Sequence, residues 1–86
     1  MELDSVDMQI LNSLTFPEPF EILIEEVKTP EKIIGDSLKW LINKGLVQAL
    51  SENEITRKWE KGFFYNSDNM HDYRYQITTK GLDLLF

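Results

Sequence analysis

The sequence predicts an α+β domain: a three-helix bundle, an antiparallel β-hairpin and a short C-terminal helix. Three observations carry this expectation. Apolar residues recur at helical spacing in three separate stretches before residue 45. LINKGLVQAL, residues 41–50, runs from a helical pattern through a glycine into a short apolar stretch. YRYQITTKGLDLL, residues 73–85, runs the other way, from alternation into a new helical pattern.

Helix one is expected from Val6 to Leu14. Asp4 or Ser5 can cap it, because a short side-chain oxygen accepts from the free amides of the first turn. Val6, Ile10 and Leu14 recur at i, i+4 and i+8, with Leu3 and Leu11 beside that stripe. Pro17 and Pro19 stop it, since a proline disfavours helix in the residue before it. Helix two begins at Pro19, with Phe20, Leu23, Ile24 and Val27 on its apolar face. Glu21, Glu25 and Glu26 lie away from that face.

Helix three, residues 29–44, is the best-marked element. Thr29 suits the N-cap, Pro30 the first helical position and Glu31 the positive end of the helix dipole. Ile34, Leu38 and Leu41 form the buried side, and Gly45 supplies a left-handed residue to end the helix. Leu46, Val47 and Leu50 then read as a strand. For residues 51–65 two readings stay open. Ser51 and Glu54 match a capping box and can start a short helix through Trp59. Alternatively, a loop leads to an outgoing strand around residues 62–65. The hairpin is expected to turn near Asn66–Asn69, with Tyr73, Tyr75 and Ile77 alternating on the return. Thr78 or Thr79 caps the last helix, with Leu82 and Leu85 inward.

The 86 residues are expected to form one domain, 1–86, with no linker or repeat. Hydrophobic residues at 42% and charged residues at 28% suit a soluble globular domain. No apolar run approaches a bilayer span, and the first ten residues lack the basic start of a signal peptide. No membrane association is expected, and the location is read as cytoplasmic. The absence of cysteine rules out disulfides and thiolate chemistry. A lone His71 between Asp68 and Asp72 reads as loop polarity, so no metal, cofactor or catalytic activity is expected. The net charge of −6 is uneven: residues 1–31 carry −7 and the remainder +1.

Leu38, Leu41, Lys44, Gly45, Leu46 and Val47, followed by Tyr75, Ile77, Thr78, Gly81 and Leu84 or Leu85, form a recognisable order. It resembles the winged helix-turn-helix domain of bacterial transcription regulators of the PadR and MarR kinds, over nearly the whole chain. The resemblance implies double-stranded DNA as partner, with helix 29–44 in the major groove and the 51–77 hairpin as wing. Lys32, Asp36, Lys39 and Asn43 then face outward, and Lys32, Lys39 and Asn43 become candidate readers. Arg57, Lys58, Lys61 and Arg74 become the wing's phosphate contacts. The bland reading of the helix-three lysines is a solvated amphipathic face.

The acidic first third and the lack of arginine in helix three support an alternative. In it, the domain is a protein-interaction module without DNA binding. Phe63, Phe64, Tyr65 and Phe86 are its candidate interface residues, because consecutive aromatics cannot all face inward from a strand. A homodimer or protein partner is expected to use the acidic N-terminal third, the C-terminal helix or a sheet edge. Trp40, off the core stripe, is expected under the wing or against helix two.

Overall fold

A computed structural model describes residues 3–61 and 67–85. Helix α1 spans Ser5–Ser13. Asp4 caps it: its carboxylate accepts from the Asp7 amide at 2.8 Å, and Asp7 accepts from the Asp4 amide at 3.1 Å. This is a reciprocal capping box with aspartate in place of the usual glutamate. The chain then makes a two-residue strand β1, Glu18–Pro19, before α2, Phe20–Glu26. Strand β1 was not expected, since Pro19 reads as a helix start. It is an edge strand, where a missing proline amide is tolerated.

Helix α3 spans Glu31–Asn43, slightly shorter than the expected 29–44. Pro30, rather than Thr29, is its N-cap. Its extended ψ of 138° keeps it outside the helix, while its carbonyl accepts from Ile33 and Ile34. At the far end Gly45 has φ +76°. The Gly45 amide donates to Ile42 and the Leu46 amide to Leu41, the paired bonds of a Schellman cap. The glycine thus turns a core helix directly into strand β2, Val47–Glu52.

Strands β3, Trp59–Lys61, and β4, Arg74–Ile77, complete an antiparallel sheet of order β1-β4-β2-β3. Residues 51–77 are therefore not one hairpin turning near Asn66–Asn69. The chain turns at Asn53–Lys58, β3 returns along one edge of β2, and β4 takes the other edge. Ser51 pairs with Glu60 inside the sheet, so the Ser51–Glu54 pattern starts no helix. Ser67–Asp72 forms two 3₁₀ turns kinked at Asn69. The expected strand around residues 62–65 lies outside the described residues.

Helix α4, Thr79–Leu85, follows β4. The Thr78 hydroxyl accepts from the Gly81 amide at 3.1 Å and donates to the Gly45 carbonyl at 2.6 Å. The core comprises Ile10 and Leu11 of α1 with Leu14 at its C-cap, Phe20 and Leu23 of α2, and Val27. It is completed by Ile34, Leu38 and Leu41 of α3 with Leu46, Val47, Tyr75 and Ile77. Three packed helices, an antiparallel sheet and a short terminal helix give the expected α+β, winged-helix-like architecture.

Candidate nucleic-acid interface

Burial of Ile34, Leu38 and Leu41 fixes the rotation of α3 and leaves Lys32, Asp36, Lys39 and Asn43 exposed on the opposite side. Lys32 pairs with Asp36 at 3.5 Å, one turn along the helix. Both side chains are largely in water, where such a pair contributes little stability but does cancel charge locally.

The 3₁₀ segment borders this face. Met70 packs toward Gly35, where an added Cβ would lie 3.3 Å from its sulfur. The Tyr75 hydroxyl holds the segment by donating to the Met70 carbonyl at 2.8 Å. His71 meets the edge of Phe20 with ring centroids 5.0 Å apart. Its Nδ1 lies 2.6 Å from Glu21 of α2, and its Nε2 lies 3.2 Å from Glu31 of α3. A neutral imidazole donates from one nitrogen only, so both bonds form fully in the imidazolium. The Glu21 hydrogen bond raises the His71 pKa above its ordinary value, with Glu31 adding to the effect. The same bond lowers Glu21. Phe20, Gly35, Met70, Glu31 and His71 line an open cleft of about 370 Å³, together with Lys32, Asp36 and Lys39 of α3.

The hairpin is built by Asn53. Its side-chain oxygen accepts from the Ile55 amide at 2.9 Å and the Thr56 amide at 3.2 Å. The Asn53 amide donates to the Lys58 carbonyl at 2.7 Å, closing the loop. Arg57 sits at its corner with φ +61°, and Arg57 and Lys58 are both exposed. Lower down, Lys61 and Arg74 flank Leu50 from opposite strands. Register puts all three on the sheet face away from Tyr75 and Ile77, because alternate residues point oppositely. The Arg74 guanidinium lies over the Trp59 ring, 4.5 Å from its centroid.

The seven candidate DNA-binding residues thus fall into three groups. Lys32, Lys39 and Asn43 lie on α3, Arg57 and Lys58 at the hairpin tip, and Lys61 and Arg74 at its base. Phe63, Phe64, Tyr65 and Phe86 lie outside the described residues. Trp40 is half-buried, packs against the core and lines a groove with Val6 of α1. Two polar links carry little or no sequence signal. His71 spans 50 residues to Glu21, with no local pattern to mark the contact. Asp7 is buried and accepts from Ser37 across the α1–α3 interface. Here the Asp4–Asp7 spacing of a capping box is a usable clue.

Among the described residues no group of side chains is arranged to hold a metal ion, and no helix is long and apolar enough to cross a membrane. Comparison of the chain with protein-family models, curated proteins and solved structures finds no match.

Proposed function

We propose that the chain is a small DNA-binding transcription regulator, with α3 entering the major groove and the hairpin gripping the backbone. The observation that carries this reading is the hairpin tip. Arg57 occupies a left-handed backbone position, φ +61°, where an L-residue with a side chain is disfavoured by roughly 1–2 kcal/mol. Glycine would sit there without that penalty. Arginine at the corner, next to Lys58, instead projects two cations from a turn fixed by Asn53. Such local strain is a recurrent mark of functional positions.

Part of the acidic charge near α3 is offset by partners within the fold. Glu21 and Glu31 share His71, and Asp36 is paired with Lys32. Lys39 and Asn43 then face the groove from the middle and end of the helix. With three to five phosphate contacts, log affinity should fall against log salt with a slope of roughly −3 to −4.5.

Arg57→Gly tests the reading directly, because it removes the charge and the strain together. Its melting temperature should rise while its affinity for all duplexes falls and its salt slope shallows by about 1. Asn43→Ala should instead change which sequence is preferred in a random-duplex selection. A parent protein that binds no duplex at low salt would overturn the proposal.

A second reading, an interaction module without DNA binding, is supported by a different surface. Between α1 and α3 lies an apolar groove rimmed by aspartates, within the acidic first third of the chain and the helix that follows it.

A further inference from the structure

The groove and the hairpin tip are complementary to each other. The groove lies between the start of α1 and the middle of α3, with Val6, Ile33 and Trp40 as its apolar lining. Its volume is about 370 Å³, and Asp4, Asp7, Asp36 and Ser37 make up the rest. Ile33 is 49% exposed, although it lies on the best-marked amphipathic helix of the chain. Asp7 is buried and engaged, accepting from Asp4 and Ser37, so the exposed rim charges are Asp4, which also accepts from the Asp7 amide, and Asp36, whose pair with Lys32 is itself exposed. Asp36 has Lys32 as its neighbour along the helix, and Lys44 sits over the Trp40 ring at 5.9 Å. No cation belongs to the lining itself among the described residues.

The tip carries the opposite pattern. Ile55 is 92% exposed, the most exposed large apolar side chain among the described residues. Arg57 and Lys58 follow it, and Glu54 precedes it. Asn53 holds the turn rigid through bonds to the Ile55 and Thr56 amides. An apolar knob already fixed in place loses little conformational freedom on docking.

We propose that the groove receives the hairpin tip of a second copy of the chain. Ile55 seats against Val6, Ile33 and Trp40, while Arg57 and Lys58 meet Asp4 and Asp36. Each copy then offers one tip and one groove on different elements, and a contact that is not reciprocated between the same two copies propagates head to tail. It goes beyond DNA binding and competes with it, since the same tip cations would grip phosphate. The small contact area makes the association transient, strengthening with concentration and weakening with salt.

The test uses the full chain without DNA, so its outcome is independent of the DNA reading. Sedimentation and light scattering are run over a concentration series on the parent, Ile33→Ser and Ile55→Ser, after circular dichroism shows that each variant folds. The parent's average mass should climb steadily, and either variant alone should stay at one chain. An equimolar mixture should recover association and stop at two chains, because Ile33→Ser keeps its tip and Ile55→Ser keeps its groove. A parent that stays at one chain, a variant that associates like the parent, or a mixture that recovers nothing would each overturn the proposal.

Discussion

His71 ties three segments together with one ring. It stands on the 3₁₀ turns and reaches Glu21 on α2 and Glu31 on α3, while Phe20 presents its ring edge beneath. Lys32 and Lys39, which line the same cleft, oppose the imidazolium, and Asp36 favours it. Because the folded state raises the His71 pKa, its contribution is complete below the ordinary histidine value and is lost as pH rises through the raised one. Glu21, lowered by the same bond, contributes above its ordinary value and loses that contribution as pH falls. The clasp is therefore strongest in the mildly acidic window between the ordinary carboxylate and histidine values. Thermal melts should show the parent losing stability as pH rises from the ordinary histidine value through the raised one. His71→Gln should flatten that slope. Superimposable profiles for the two proteins would show that the clasp contributes nothing to folding.

At the level of elements, the two joints visible in the sequence are halves of one contact. The end of α3 presents the Lys44, Gly45 and Leu46 carbonyls. Lys80 donates to the first, the Thr78 hydroxyl to the second and the Thr78 amide to the third. Gly81 completes the fit, since a Cβ there would press on the Leu46 carbonyl oxygen and lie 2.6 Å from Ile77 Cγ1. Gly81→Ala should therefore destabilise by roughly 1–3 kcal/mol despite alanine's better helix propensity. Gly35→Ala makes the contrast. Its Cβ would meet the flexible end of Met70, so urea melts should find it near neutral or slightly stabilising. Equal losses at the two positions would count against the close-approach argument.

Those joints are legible in the sequence because their causes are local: a glycine cap, a threonine cap and helical spacing of leucines. The core positions Leu23, Ile34, Leu38 and Leu41 follow from the same helical spacing, Leu46 from the apolar stretch after the glycine and Ile77 from strand alternation, and all are buried. The hairpin is misplaced by its sequence pattern because turn residues mark where a chain bends, not which strands then pair. Residues 66–69 carry the stronger turn composition, but the bend between paired strands is at Asn53–Lys58, set by one asparagine and by the free edge of β2. Strand β1 escapes notice for the same reason: two residues carry no period, and only β4 makes them a strand. At the candidate interface, exposure of Lys32, Lys39 and Asn43 follows from helical rotation. The His71 clasp and the groove beside Trp40 depend on distant elements meeting, which no local pattern records.

For the molecule as a whole, burial is unevenly shared. Helices α1 and α3 and strand β4 each bring two or more residues to the core, whereas β3 brings none. The Ile77 amide donates to Leu14 at 2.8 Å and so closes the sheet onto α1. Native-state hydrogen exchange should find the Ile77 amide released only by global unfolding. Asn53 and Arg57, whose amides are bonded within the exposed loop, should exchange through local opening at far lower free energy. Equal protection of the hairpin and Ile77 would show instead that the wing unfolds as part of the core.

The place of β4 has a consequence for how the protein comes into being. Though it covers only residues 74–77, it lies between β1 and β2 and supplies Tyr75 and Ile77 to the interior. During synthesis three helices and β2 leave the ribosome before the strand that seals them. Until residue 77 is free, the apolar sides of α1 and α3 have an incomplete cover, and the pairing of residue 18 with residue 75 must wait for a long loop to close. Translation thus holds the chain in an open state, exposed to chaperones and to neighbouring nascent chains, until β4 has emerged.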